Sequence, residues 1–197
     1  MRVTGGQLAG RRLSAPRGSA VRPTSDRVRE SLFARLEPLD GVTVLDLFAG
    51  TGALGIEALS RGAASAVFVE RAGPSLRCLE RNLEVLGLGD RARVLRSEVH
   101  RAIRRLARSG PGFSLVLMDP PYEAADAVEV MREVRRCGIL APGGVLVLET
   151  SRRHPPGRVP GLVPLDERLH GDTLIVRYQA RQAGGPPGAG RGGSDET

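Results

Sequence analysis

Apolar and polar positions alternate along this chain in two rhythms. Short apolar runs of strand length occupy residues 42–47, 65–70, 92–95, 113–118 and 144–149, and stretches with helical spacing lie between them near 53–61, 74–87, 98–108 and 124–137. The strand runs are almost continuously apolar, so both of their faces are buried. That pattern predicts a mostly parallel sheet covered by helices on both sides. After residue 150 the helical pattern thins out, leaving a proline-rich loop at 154–160 and two closing strands near 162–166 and 173–179, seven strands in all. Ahead of the first strand, Asp26 to Phe33 begins a helix with apolar positions at 28, 32, 33 and 36, which Thr24 or Ser25 can cap. The stretch from Met1 to Ala20 is rich in Gly and Arg with short alternating pieces, Arg2-Val3-Thr4 and Arg12-Leu13, and reads as a small β-hairpin or extended arm. The expected organisation is an arm at 1–21, one α/β domain at 22–180 and a tail at 181–197. From Ala183 onward the tail is dominated by glycine, with Pro186-Pro187 among them and too few apolar groups to bury a core, so it is expected to be disordered.

Composition narrows the possibilities. At 197 residues and 41% hydrophobic, the chain can bury a core without disulfides or metals. Cys78 and Cys137 stand apart in helix-like stretches, and His100, His154 and His170 share no ligand spacing, so neither a disulfide framework nor a metal site is expected. Without a signal-peptide run or a membrane-length apolar stretch, a cytoplasmic protein that does not enter membranes is expected. No unexplained apolar face remains in the pattern, which predicts a monomer. The net charge of +7 is unevenly spread. Residues 1–35 hold eight arginines against Asp26 and Glu30, while the rest of the chain holds 21 arginines and 20 acids. A concentrated basic segment suits a polyanion, since each neutralised phosphate releases counterions; Arg2, Arg11, Arg12, Arg17, Arg22, Arg27 and Arg29 are the candidate phosphate contacts.

Two motifs carry candidate chemistry. The first joins the first strand to the next helix: Asp46-Leu47-Phe48-Ala49-Gly50-Thr51-Gly52-Ala53-Leu54-Gly55, with glycines at 50, 52 and 55 and Glu70 at the end of the second strand. Such spacing also fits a nicotinamide dinucleotide, whose pyrophosphate sits at this helix N-terminus. An anionic Asp46 is a poor neighbour for a pyrophosphate and a good one for the ammonium and sulfonium of S-adenosylmethionine. The carboxylate of Glu70 can accept hydrogen bonds from both ribose hydroxyls. The second motif, Asp119-Pro120-Pro121-Tyr122, ends the fourth strand at the carboxyl edge of the sheet, where such folds bind ligands. Consecutive prolines make a rigid turn without N–H groups, so its carbonyls face the crevice. The amine of a nucleobase is a weak nucleophile because its lone pair is delocalised. Acceptance of its two N–H groups by Asp119 and the Pro120 carbonyl would aim that lone pair at a methyl group, and Tyr122 could stack on a flipped base. Glu98 at the end of the third strand is either an adenine contact or a helix-starting surface residue.

With these residues in place, the chain resembles the bacterial 16S ribosomal RNA guanine-N2 methyltransferases of the RsmD type, from about Arg2 to Tyr178. The resemblance rests on Gly5-Gly6, Gly10-Arg11-Arg12-Leu13, the segment Arg22 to Phe33, the run Asp46 to Ala63 and Asp119 to Tyr122. It implies a class I S-adenosylmethionine-dependent methyltransferase of Rossmann-like fold, acting on one guanine of 16S rRNA in the small ribosomal subunit or its assembly intermediate, with S-adenosylhomocysteine as product and no metal. It further implies that Thr24, Asp46, Phe48, Gly50, Gly52, Gly55, Glu70, Glu98 and Val99 surround the cofactor and that the basic arm docks on the subunit. The family's aspartate after the third strand is Glu98 here, and an aromatic before Gly171-Asp172-Thr173 is His170. DNA adenine or cytosine and protein glutamine stay open as alternative substrates, since related Asp-Pro-Pro-Tyr sites serve all three.

Overall fold

The computed structural model describes residues 1–16, 25–108, 110, 112–121 and 124–181. Helix α1 (Asp26–Phe33) leads into β1 (Thr43–Leu47), α2 (Ala53–Ser60), β2 (Ser65–Glu70), α3 (Gly73–Val85), β3 (Ala92–Arg96), α4 (Val99–Leu106), β4 (Phe113–Met118), α5 (Ala124–Arg136), β5 (Leu140–Ser151), β6 (Leu162–His170) and β7 (Thr173–Ala180). The seven strands form one sheet in the order β3-β2-β1-β4-β5-β7-β6. Strands β1 to β5 run parallel, and β7 runs antiparallel to both β5 and β6. This is the mostly parallel, helix-covered sheet that the apolar strands predicted.

Successive side chains in each strand point to opposite faces, and the core is accordingly split in two. Val44, Phe68, Leu115 and Leu117 pack toward α1, α2 and α3. Leu45, Leu47, Val69, Val116 and Met118 pack toward α4 and α5. The sheet order reverses between β1 and β4, whose register pairs Leu47 with Met118. A reversal of this kind splays the loops at the carboxyl edge and opens a crevice there. Among the described residues no helix is long and apolar enough to cross a membrane.

The closing strands are longer than their sequence pattern. β6 continues to His170 although Val163 to Leu165 and Glu167 to Leu169 are exposed, because a sheet-edge strand needs few buried side chains and so has little apolar signal. Its register slips between Pro164 and Asp166, where Asp166 pairs with Arg177 and, at 2.8 Å, with Arg35. β5 starts at Leu140 and runs through Pro142-Gly143-Gly144, residues that read as a turn.

The N-terminal segment forms one antiparallel bridge, Arg2 with Arg12, around a single turn of 3-10 helix at Gly6–Leu8. It lies against α2 and does not project from the domain. Val3 and Leu13 are buried in the same core as α1 and α2. Glu57, the lone carboxylate in an otherwise buried apolar helix, accepts the Thr4 and Gly5 backbone N–H groups at 2.8 Å and the Thr4 hydroxyl at 2.7 Å. Gly6 fits only as glycine: its φ is +74°, and a Cβ there would lie 1.9 Å from the Ser60 carbonyl oxygen. On α3, the Asn82 amide accepts from Ser14 N at 2.7 Å and donates to the carbonyls of Ser14 and Thr51. One side chain thus ties the N-terminal segment to the loop that follows β1.

Candidate active site

The loop after β1 is shaped by left-handed backbone. Phe48 has φ 60°, unusual for a residue with a side chain, and Gly50 and Gly52 follow at 57° and 84°. The reversal is locked from below. Asp46, on β1 and 1% exposed, accepts the Gly55 N–H in the first turn of α2 at 2.9 Å. Helix and strand meet there so closely that a Cβ on Gly55 would lie 2.3 Å from the Phe68 ring. Burial raises the Asp46 carboxyl to about 7; the Gly55 N–H opposes this rise and the charge of Glu70 adds to it. Glu70 closes the loop from the side. Its Oε2 accepts from Gly50 N at 2.8 Å, and its Oε1 accepts from Arg71 N and Ala72 N at 2.7 Å each. Three of the four lone-pair directions of that carboxylate are already used. Acceptance from both hydroxyls of a ribose therefore requires it to release a backbone amide.

Asp119 follows β4 directly, so it stands one strand away from the Phe48–Gly52 loop. It is half-buried, as is Pro120, while Pro121 is exposed. Tyr122 lies outside the described residues. The β4–β5 register pairs Met118 with Leu148, which sets Asp119 beside Glu149. Burial pushes the Asp119 carboxyl well above its ordinary range, and the charges of Glu149 and Asp46 push it further. Three carboxyls from β1, β4 and β5 thus share one corner of the crevice, and their mutual repulsion makes it a place for positive charge. Glu149 is the last residue of the strand run expected at 144–149. That position was the usable signal, since Glu149 follows Leu148 just as Asp119 follows Met118, its partner in the register.

Other predicted residues fall into distinct groups. Glu98 is exposed and caps α4, accepting from His100 N and Arg101 N at 3.1 Å. Burial acts to raise its pKa, but those two backbone bonds and the nearby His100 and Arg104 charges hold it below the usual value. The helix-starting reading accounts for this geometry. Val99 buries its side chain in the core under α4, so only its backbone faces the loop. Of the candidate RNA contacts, Arg2, Arg11, Arg12 and Arg27 are not buried. Arg29 has to be removed from that group: it is 0% exposed, pairs with Asp26 at 3.0 Å and Glu57 at 3.5 Å, and donates to the Arg2 carbonyl. A guanidinium sealed behind α1 cannot reach a phosphate. Arg17, Arg22 and Thr24 lie outside the described residues, as do residues 182–197 of the predicted tail; Ser25 caps α1 through Val28 N. Among the described residues no group of His, Cys, Asp and Glu could hold a metal ion.

Comparison with known proteins gives the family and the fold. Residues 1–179 match the family described as Conserved hypothetical protein 95. The Ribosomal RNA small subunit methyltransferase D of Escherichia coli (strain K12) is 36% identical over 186 residues, covering 94% of this chain and 92% of that protein. A solved structure from Escherichia coli, a protein named yhhF, superposes with a TM-score of 0.80 at 34% identity, covering 92% of this chain and 98% of that one. More distantly, SMU.776 complexed with S-adenosylhomocysteine shares the fold at a TM-score of 0.62 and 17% identity, over 80% of this chain and 50% of that one. The fold is that of a class I, Rossmann-like methyltransferase.

Proposed function

This chain belongs to the Conserved hypothetical protein 95 family, the RsmD family of the sequence resemblance, and on that premise we propose that it methylates the N2 amino group of a guanine in 16S ribosomal RNA, using S-adenosylmethionine. The observation that carries this reading is the acidic corner formed by Asp46, Asp119 and Glu149 beside a glycine-rich loop. The donor set fits the cofactor. The Asp46 and Asp119 carboxyls, raised by burial and by neighbouring carboxylate charge, favour an ammonium and a sulfonium over a pyrophosphate, and the left-handed Phe48–Gly52 loop lets the main chain approach closely. When bound, the cofactor supplies an electrophilic methyl group.

The chain's own residues then orient the acceptor. Asp119 and the Pro120 carbonyl take the two N–H groups of the exocyclic amine, so the nitrogen's lone pair points into the crevice. As the N–C bond forms the nitrogen must shed a proton, and a carboxylate whose pKa is raised is better suited to receive it than an ordinary one. Arg2, Arg11, Arg12 and Arg27, on the N-terminal segment and α1, would hold phosphates. The test is transfer of a tritiated methyl group to small subunits from a strain lacking the gene, followed by nucleoside analysis. Labelled N2-methylguanosine is expected; label in adenosine or in protein would sink the reading.

Asp46 supplies a second, independent test. Its carboxyl stands near 7 when folded against 3.8 unfolded, so folding takes up a proton. Its contribution to stability is greatest below pH 4, falls by about 4 kcal/mol between pH 4 and 7, and is flat above that. Asp46→Asn, which keeps an oxygen for the Gly55 N–H, should raise the melting temperature at pH 8 and weaken S-adenosylhomocysteine binding about tenfold. Cofactor binding to the native protein near pH 6.5 should release protons, since a cation draws the carboxyl toward its ionised form. Calorimetry in two buffers of different ionisation enthalpy measures this, and equal heats in both would contradict it.

A further inference from the structure

The charge on this chain has a second centre, hidden by the near-balance of the residues beyond 35. Residues 91–108 hold seven arginines against one acid, Glu98, and both carboxylate oxygens of Glu98 are taken up in capping α4. Neighbouring helices are built otherwise. α3 sets Arg77 and Arg81 against Glu80 and Glu84, and α5 sets Arg132, Arg135 and Arg136 against Glu129 and Glu133. Opposite charges three or four residues apart offset one another on a helix surface. Past its cap, α4 contains no acid at all.

The exposed arginines of this segment form a ridge, apart from Arg91, which is half-buried and donates to the carbonyls of Leu59 and Ala63. Arg101 and Arg105 are exposed and follow at i and i+4, which places them on one stripe of α4, and the exposed Arg108 follows two residues past the end of the helix. Beside the stripe, β3 is the terminal strand of the sheet, and an open groove of about 430 Å³ between it and α4 is lined by Arg93, Arg96 and Arg105. Helix electrostatics account for Arg104 and Arg105, which stand in the last turn where a cation is favoured. They do not account for Arg101, in the first turn, where a cation is disfavoured. Internal pairing engages only part of the ridge. Arg96 pairs with Glu80 and Arg104 with Glu133, whereas Arg93, Arg101 and Arg108 form no ion pair among the described residues.

We propose that this ridge is a second ribosomal RNA contact, gripping phosphates on the flank of the sheet; the proposal rests on the rRNA substrate argued above. Its chemistry is that of backbone binding. Guanidinium forks match phosphate oxygens, and the exposed large apolar residues, Val85, Val163, Leu165 and Leu169, all lie outside residues 91–108, whereas a protein-binding surface centres on apolar and aromatic anchors. β3 stands three strands from β4, about 14 Å at the usual strand spacing. α4 packs on the face of the sheet opposite α1, α2 and the N-terminal segment. RNA delivering a base to Asp119 would therefore be held on both sides of the crevice.

The test compares the full chain with the triple variant Arg93→Gln, Arg101→Gln, Arg108→Gln, all three outside the core. Two probes are used across a salt series: a 16S rRNA transcript and unmethylated small subunits. The expected result is about tenfold weaker binding to both, with the slope of log K against log salt reduced by about 2 to 3, and unchanged S-adenosylhomocysteine binding. Unchanged affinity and slope on both probes would overturn the proposal. Weaker binding to subunits with unchanged binding to the transcript would also overturn it, in favour of an acidic protein partner. Methylation by the native chain separates the two ideas: if native protein labels rRNA guanine and the variant binds like it, only the ridge fails; if native protein labels no rRNA, the substrate reading fails and the ridge with it.

Discussion

Asp119→Ala will lower methyl transfer by about 10³-fold while weakening S-adenosylhomocysteine binding by no more than a few-fold. The expectation follows from where the side chain stands. Asp119 leaves the end of β4 beside the loop that follows β1, but that loop is held by Asp46, Glu70 and Asn82. Removal of Asp119 therefore takes away the acceptor's orientation and one of the three carboxyls of the corner, and leaves the loop around the cofactor in place. Loss of both activities together would show that the residue shapes the fold of the site instead. The pH dependence gives a sharper version. Burial, then Glu149, then Asp46 keep this carboxyl well above the usual carboxylate range, and only the ionised form accepts both an N–H bond and the departing proton. Activity should thus fall on acidification through a pKa higher than that of an ordinary aspartate. Asp119→Asn keeps one acceptor oxygen and removes the titration, so a slow enzyme with that ionisation missing from its kcat profile is expected. An unaltered profile in the Asn variant would assign the ionisation elsewhere.

The largest effect on stability is expected at Glu57. Its carboxylate, 0% exposed, receives two backbone N–H groups and a hydroxyl from Thr4 and Gly5, binds Arg61 at 2.8 Å and faces the equally buried Arg29 at 3.5 Å. Removing Glu57 takes a carboxylate partner from the buried Arg29 and from Arg61, and leaves the Thr4 and Gly5 N–H groups without their acceptor. Glu57→Ala should cost about 3–5 kcal/mol and lower the melting temperature by about 10 °C. Pairing the change with Arg29→Met removes the buried cation that has lost Glu57 and should recover part of the loss. Thermal unfolding of the single and double variants decides the matter: additive losses would mean that Arg29 and Glu57 do not depend on each other.

Much of this architecture was legible because its signals are periodic. Continuous apolar strands separated by helical stretches placed β1 to β4 within a residue of where they lie, and the capping pattern found α1. The exceptions share a physical reason. β6 is an edge strand whose exposed side chains lack the alternation that marks a half-buried strand, and the glycines of β5 have turn chemistry in a strand. At the site, Asp46, Glu70 and Asp119 were legible because chemistry fixes both their type and their place at strand ends. Arg29 was misassigned because charge along a sequence does not reveal burial. Its partner Glu57 lies far along the chain, on α2, and the only hint was a carboxylate inside an apolar helix. The α4 ridge escaped for the converse reason: one average over everything beyond residue 35 cancelled a local excess against acids that lie elsewhere in the fold.

Asn82 bears on the order in which this protein assembles. Its bonds to Ser14 span 68 residues, and its bond to Thr51 spans 31. A segment near the start of the chain thus depends on a side chain that emerges from the ribosome only after β1, α2, β2 and most of α3 have been made. Closing so long a loop brings its reward only once both ends exist. The segment around Ser14 therefore waits for its Asn82 partner while the residues between them are made, and the loop after β1 gains its outer brace only when Asn82 arrives.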